Sequence, residues 1–370
     1  MAKRLVFKFG TNSLRNKEKD IDTERISGYV SDIAEQIKNG HDAIVITSGA
    51  VGLGAKKLGL DPKNTSKNSL FDKQACASVG QPHLMKIWED CFAAHNITIA
   101  QILLVEDDFS NRRRYLNLRN TLNRLLECGV VPVINQNDAV STSEIETVCF
   151  SDNDKLSALV ASKLDADMLV IISDIDGLYD KNPKEHKDAK HIKVVEEITP
   201  EIEALGSGAS SGGRGGMITK IEASKVVTNS GALAVILNGN REHVIQSFFN
   251  GEEIGTKFLP NKTLSSKARW IAYATNIEGK IYINQGAERA LTQENKSLLP
   301  VGVIKLEGKF NQGDVISILN SEEKEIARGI ANYNSPDFEK IMGEHSEDIP
   351  KILGFKISDD IISKDNLVIL

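Results

Sequence analysis

Short apolar runs alternate with amphipathic stretches along the first 240 residues. Runs at 5–9, 43–47, 97–105, 130–135, 168–173 and 232–237 are predominantly apolar, the pattern of strands buried on both faces. Helical periodicity fills the intervals. Within 23–38, Ile26, Tyr29, Val30, Ile33 and Ile37 share one face, and 70–94, 111–128, 152–164 and a stretch opening after Gly216 also read as helices. Strands separated by helices of this length predict an α/β unit, a largely parallel sheet sandwiched by helices. Near Gly255 the character changes. The later runs at 280–283, 301–306, 314–319 and 367–370 are short and interrupted by Gly279, Gly286, Gly302, Gly308, Gly313 and Gly329, which predicts a small β-rich domain. At 370 residues the chain is also too long for one ordinary core. The expected division is 1–257, a connector at 258–274 with Trp270 packed at the junction, and 275–370.

Composition narrows the functional classes. The chain is 41% apolar and 26% charged with a net charge of −6, which argues against broad binding to nucleic acid or anionic membrane. No apolar run approaches the ~20 residues that span a bilayer, and the start of the chain leads directly into a strand rather than a signal peptide. Cys76, Cys91, Cys128 and Cys149 are scattered without Cys-x-x-Cys spacing. They are expected to be four buried thiols of a cytoplasmic protein, not a zinc site or disulfide framework.

The chemistry concentrates where strands end. Ser151-Asp152-Asn153-Asp154 opens a helix; by itself this is close to a capping box with helix-dipole complementarity. Two further polar clusters follow strands, however: Asn135-Gln136-Asn137-Asp138 and Ser173-Asp174. Open α/β sheets bind ligands at the carboxyl ends of their strands. Lys8-Phe9-Gly10-Thr11 and the stretch Ser48-Gly49-Ala50 through Gly54 also follow strands. The second misses both the P-loop and the dinucleotide fingerprint, leaving two readings open, an anion cradle or a plain strand–helix turn. The segment 206–220 is rich in glycine and ends on Met217-Ile218-Thr219-Lys220. It reads as an exposed linker or as a loop ordered by phosphate oxygens. Lysines at 8 and 220 with glycine-exposed amides supply what phosphoryl transfer requires, positioning and charge neutralisation. A carboxylate acceptor, ionised at neutral pH, needs no general base, in keeping with clusters that contain no histidine. His83 and His95 read as surface or core filler.

Taken in order, Lys8-Phe-Gly-Thr, Ser48-Gly-Ala, Lys73-Gln-Ala, Val79-Gly-Gln81, Arg114-Tyr-Leu-Asn117, Asn135-Gln-Asn-Asp-Ala139, 151–158, 174–179 and Gly215-Gly-Met-Ile-Thr-Lys220 resemble the glutamate 5-kinases of the amino-acid-kinase family. Segments 297–302, 308–314, 326–329 and 332–335 are similar to the PUA domain of bacterial members. The resemblance implies an amino-acid-kinase fold with a PUA-like C-terminal domain. It also implies transfer of the ATP γ-phosphoryl group, with Mg2+, to the side-chain carboxylate of L-glutamate, the first step of proline synthesis. Carried over by position, Lys8 and Lys220 would neutralise the transferring group and Asp154 would hold both. Ser48, Gly49, Ala50, Asp138 and Asn153 would bind glutamate. Lys8, Gly10, Ser173, Asp174, Arg214, Gly215, Gly216, Met217, Ile218, Thr219 and Lys220 would bind ATP; no residue is assigned as a metal ligand. Proline inhibition and a homo-oligomer are further implications.

Ser151 stands where the family has glycine, a strain if that position needs positive φ. Arg214 replaces threonine, and Gln136 replaces glutamate. Two rivals remain. One is another amino-acid kinase, acting on acetylglutamate, aspartate or uridylate. The other is an RNA-binding regulator, since PUA domains occur in RNA-modifying enzymes. Residues 275–370 carry 16 Asp and Glu against 11 Lys and Arg, which disfavours phosphate-backbone binding.

Overall fold

The structure, a computed structural model, describes residues 3–18, 20–60, 69–140, 153–183, 185–206, 216–260, 268, 271–272 and 277–370. Ser151, Arg214, Gly215, Cys149, Trp270 and most of the expected connector lie outside them. The chain divides into two compact units, Met1–Thr263 and Leu264–Leu370.

Eight strands of the first unit form one sheet. In chain order they are β1 (Arg4–Phe9), β2 (Asp42–Ile46), β3 (Ile99–Leu104), β4 (Val131–Gln136), β5 (Met168–Ser173), β8 (Val194–Val195), β9 (Leu233–Asn238) and β10 (Thr256–Phe258). Strands β6 (Leu178–Tyr179) and β7 (His191–Ile192) pair separately as a small hairpin. The sheet order is β3-β4-β2-β1-β5-β9-β10-β8. All its pairs are parallel except β9 with β10. β1 therefore lies inside the sheet, with Lys8 level with Ile46 of β2 and Ile171 of β5.

The helices are α1 (Thr23–Lys38), α2 (Ala50–Leu58), α3 (Ser69–Ala93), α4 (Asp107–Ser110), α5 (Arg112–Glu127), α6 (Asn153–Lys163), α7 (Pro200–Gly206), α8 (Met217–Asn229) and α9 (Val244–Phe249). Asp22 caps α1 by accepting from the Arg25 N–H at 3.0 Å, and Asn111 caps α5 by accepting from Arg114 N–H at 3.1 Å. Strand alternation sorts β1 between two layers. Leu5, Phe7 and Phe9 join the core built with α1, α3 and α9, where Phe9 meets Tyr29 and Trp88 at ring-centroid distances of 4.9 and 5.3 Å. The intervening Lys8 turns to the other face and pairs with Asp154 of α6.

Helices α2 and α3 cross at glycines. A Cβ on Gly54 would lie 1.8 Å from the Cys76 carbonyl oxygen, and one on Gly80 would lie 1.8 Å from that of Ala50. Backbone thus packs on backbone, and the crossing fixes the start of α2 beside the middle of α3.

The second unit has a five-stranded sheet of β11 (Gly279–Ile283), β12 (Val303–Gly308), β13 (Val315–Leu319), β14 (Glu325–Ile330) and β15 (Leu367–Ile369), ordered β12-β11-β13-β14-β15. Its core gathers Ile281, Ile316, Ile318, Tyr333 and Phe338. The β-rich expectation missed the helices Gln285–Thr292, Ser335–Ile341 and Ile349–Leu353 among the described residues here. They are short, and cap residues start two of them: Asn284 accepts from Ala287 N–H and Asn334 from Asp337 N–H, each at 2.9 Å. Cys76 and Cys91 are buried, but Cys128 is exposed, correcting the expectation of four buried thiols. It sits at the C-cap of α5, past the helix face that packs on the sheet. Among the described residues no helix is long and apolar enough to cross a membrane.

Two predictions follow from this packing. Gly28, inside α1, has nothing within 4 Å of an added Cβ, so Gly28→Ala raises stability by about 0.5–1 kcal/mol. Gly80→Ala instead lowers it by about 1–3 kcal/mol, because its Cβ must push α2 away. Denaturant titrations of both variants check the opposite signs. The second concerns His243, whose Nδ1 lies 2.8 Å from Oδ1 of buried Asp32; that carboxylate also accepts from Gln246 N–H at 3.2 Å. The hydrogen bond and charge of Asp32 raise the His243 pKa above the ordinary 6.5. A raised histidine stabilises fully below its unfolded pKa and loses that contribution as pH climbs through the folded one. The Tm gap between wild type and His243→Ala is therefore widest below about pH 6.5 and narrows in alkali; a pH-independent gap contradicts the linkage.

Candidate functional site

Three segments distant in sequence meet at one carboxylate. Asp154, in the first turn of α6, is fully buried. Its Oδ1 pairs with the Lys8 ammonium, and its Oδ2 accepts from Lys220 Nζ at 3.0 Å and from Thr219 Oγ1 at 2.9 Å. Lys8 and Lys220 are themselves 2% and 8% exposed. Burial alone would push the Asp154 carboxyl upward, but the two lysine charges and their hydrogen bonds outweigh it and hold the group below the usual carboxylate range. The cluster thus carries two cations against one anion. Two ammonium groups held this close attract an anion strongly where water is excluded.

A second cluster adjoins through the chain itself, since Asn153 precedes Asp154. Asn153 Nδ2 lies 2.7 Å from the Thr47 carbonyl, 2.7 Å from Ser48 Oγ and 3.2 Å from Asn135 Oδ1. Trp88, pinned in the core, donates from Nε1 to Thr47 Oγ1 at 2.8 Å, which fixes the end of β2. Asn135 continues the network by donating to Gln81 Oε1 at 2.8 Å. Beside it opens a cavity of about 180 Å³, whose lining includes Ala50, Gln81, Gln101, Gln136 and Asp138. Ser48 and Asn153 are therefore joined directly, and Ala50 and Asp138 share the adjacent cavity.

Gly49 is the N-cap of α2 with φ +109°, and no side chain caps the helix there. Its left-handed backbone explains the glycine and leaves the first amides of α2 open to an acceptor. Of the two readings of 48–54, the turn accounts for Gly49 alone. Gly52 and Gly54 are inside α2, one against Arg15 and the other against α3.

On the nucleotide side, Gly10 donates to the Ile172 carbonyl at 3.2 Å. A Cβ there would lie 3.7 Å from Lys8 Nζ, an ordinary contact that places Gly10 beside that ammonium. Ser173, at the end of β5, donates to Asp174 Oδ1 at 3.3 Å, and Asn12 donates to Asp174 Oδ2 at 3.1 Å. Gly216, the N-cap of α8, is extended and accepts from Thr219 Oγ1 at 3.0 Å. Met217 and Ile218 open the helix, and Ile218 is exposed. A Cβ on Gly206 would lie 2.8 Å from Ile218 Cα, so the two flanks of 207–215 meet. The residues expected to bind ATP thus fall into a Lys8–Gly10 group, a Ser173–Asp174 group and an α8 group, the last joined to Lys8 through Asp154. Thr47, Gln81, Trp88 and Asn12 were not among the expected site residues. Thr47 and Gln81 lay in segments that sequence reasoning singled out, but neither residue type by itself gave a role.

Residues 3–238 match the model of the amino acid kinase family, and residues 279–353 match that of the PUA domain. The chain is 45% identical to the glutamate 5-kinase of Thermoanaerobacter sp. (strain X514), over 99% of this chain and 98% of that protein. It is also 45% identical to the glutamate 5-kinase of Methanosarcina barkeri (strain Fusaro / DSM 804), over 99% of this chain and 96% of that protein. Among solved structures, carbamate kinase from Giardia lamblia bound to AMP-PNP superposes with a TM-score of 0.50 at 15% identity. That match covers 70% of this chain and 99% of that one, and it speaks to the fold alone. A buried two-lysine cluster at the carboxyl ends of a mainly parallel sheet, a matching family model and near-full-length relatives agree, and the chain belongs to the glutamate 5-kinases of the amino acid kinase family.

Proposed function

We propose that this chain transfers the γ-phosphoryl group of ATP to the side-chain carboxylate of L-glutamate, giving glutamyl 5-phosphate for proline synthesis. The observation that carries the reading is the buried Lys8–Asp154–Lys220 cluster, whose two ammonium groups, held together by one carboxylate, suit a transferring phosphoryl group. Charge spreads over the oxygens of that group in the transition state, so preorganised cations accelerate transfer. The attacking carboxylate is already ionised near neutral pH, so no side chain need remove a proton. Asp154 holds the two ammonium groups at a fixed separation. Asn153 and Ser48 form the adjoining wall, and the open amides at Gly49 and Ala50 face the acceptor side. Asp138 is the acidic group of the neighbouring cavity and would pair with the amino acid's α-ammonium.

ATP would lie against Gly10, Ser173, Asp174 and the first turn of α8, Gly216 to Lys220. Asp174 fits a magnesium ion that travels with the nucleotide, because it is an exposed carboxylate with one hydrogen bond recorded at each oxygen. Such an ion supplies neutralisation of the phosphate oxygens. A homo-oligomer and feedback inhibition by proline complete the reading.

The direct test is ATP consumption with glutamate, aspartate, acetylglutamate or uridine monophosphate as acceptor. Glutamate is expected to support turnover alone among them. Acetylglutamate, lacking the ammonium, would leave Asp138 without its cation. Turnover with another acceptor and none with glutamate rejects the reading. Two variants then separate the roles inside the cluster. Lys220→Ala leaves Asp154 paired with Lys8, so it lowers kcat by roughly 10²–10³-fold and barely shifts unfolding. Asp154→Ala leaves two ammonium groups facing each other and costs about 3–5 kcal/mol of stability as well. Equal unfolding curves for the two variants contradict this division.

A further inference from the structure

Gln81 lies on α3 with 7% of its surface exposed, and the structure commits only one side of its amide. The orientation is fixed by its neighbours. Asn135 Oδ1 already accepts from the Gln136 N–H at 2.9 Å and from Asn153 Nδ2 at 3.2 Å. Asn135 must therefore turn its NH₂ toward Gln81, and Gln81 must answer with Oε1. Gln81 Nε2 is left on the opposite side. It is buried and meets no acceptor among the described residues. An unanswered buried donor is costly, and an incoming acceptor would recover that cost.

Gln81 lines the 180 Å³ cavity with Ala50, Ser78, Pro82, Gln101 and Asp138. Pro82 sits inside the helix and lacks the N–H that would close onto the Ser78 carbonyl. The cavity thus offers a carboxylate, amide groups and a buried amide donor. That combination suits the zwitterionic end of an amino acid better than a dicarboxylate without an ammonium.

We propose that Gln81 determines acceptor specificity, its Nε2 donating to the α-carboxylate of the amino acid whose ammonium pairs with Asp138. This assignment rests on the glutamate reading above and adds to it the residue that reads the α-carboxylate. The same amide continues through Asn135 to Asn153, next to Asp154, so the grip on the α-carbon end is tied to the wall beside the reacting end.

Gln81→Glu tests the proposal, because it keeps an oxygen for Asn135 and replaces the donor with another oxygen. The assay compares L-glutamate with its α-amide, isoglutamine, whose side-chain carboxylate remains free. The expected result is a rise in KM for glutamate of about tenfold or more, with kcat and the KM for ATP within about threefold of wild type. The preference for glutamate over isoglutamine falls by about tenfold or more, because a carboxamide can donate to the new oxygen. A purely structural role for Gln81 would leave that preference unmoved. Should Gln81→Glu fail to fold, Gln81→Met removes the donor without adding charge and is expected to lower the same preference by about fivefold or more. An unchanged glutamate KM and preference in the folded variant overturns the Gln81 assignment while the reaction stands. A wild type inactive with glutamate overturns the acceptor reading and the Gln81 assignment together.

Discussion

The first unit is organised around two ammonium groups and one carboxylate held out of water. Asp154 is shared by Lys8 and Lys220, and all three residues are buried. Removing ions from water is costly, and their mutual attraction repays it only when the geometry is fixed and the charges are matched. Here the geometry is fixed by an interior strand and two helices, and one carboxylate answers both ammonium groups. Such an arrangement is poorly suited to adding stability and well suited to receiving an anion. Most of what surrounds it serves to keep those three groups in place.

Placement of the cluster follows from ordinary packing. Phe7 and Phe9 commit one face of β1 to the core with Tyr29 and Trp88, and alternation then sends Lys8 to the opposite face. Trp88 reaches Thr47, so the same aromatic group that fills the core also fixes the turn leading to Ser48 and Gly49. The glycine crossing of α2 and α3 sets Ala50 beside Gly80, which brings Gln81 to the cavity wall one residue later. Fold and site share these contacts, so a substitution at the crossing affects both stability and acceptor binding.

Much of this was legible in the chain. The strands of the first unit are apolar runs and α1 has a regular apolar stripe, so period and length suffice to place them. Lys8 and Lys220 stood out beside glycine-bearing segments at strand and helix ends, and the family resemblance added Asp154 as the group between them; the structure brings the three together. The short strands 194–195 and 256–258 escaped because two or three residues carry no period. The helices at 285–292, 335–341 and 349–353 escaped because, at eight residues or fewer, they are too short to show a helical period. Gly52 and Gly54 were drawn toward anion binding because sequence cannot distinguish a glycine that exposes an amide from one that admits a neighbouring helix. Gln81 could not be placed, since an orphaned amide is defined by its partners in space. Arg214 and Ser151, two of the three family departures, fall outside the described residues.

The most direct test of the central claim is a crystal structure of the protein with a non-hydrolysable ATP analogue, magnesium and glutamate. The account predicts that the terminal phosphoryl group lies within hydrogen-bond reach of both Lys8 Nζ and Lys220 Nζ, with the glutamate side-chain carboxylate directed at it from the Ser48–Asn153 wall. A terminal phosphoryl group remote from those ammonium groups, or a glutamate bound with its α-carboxylate toward them, would contradict it.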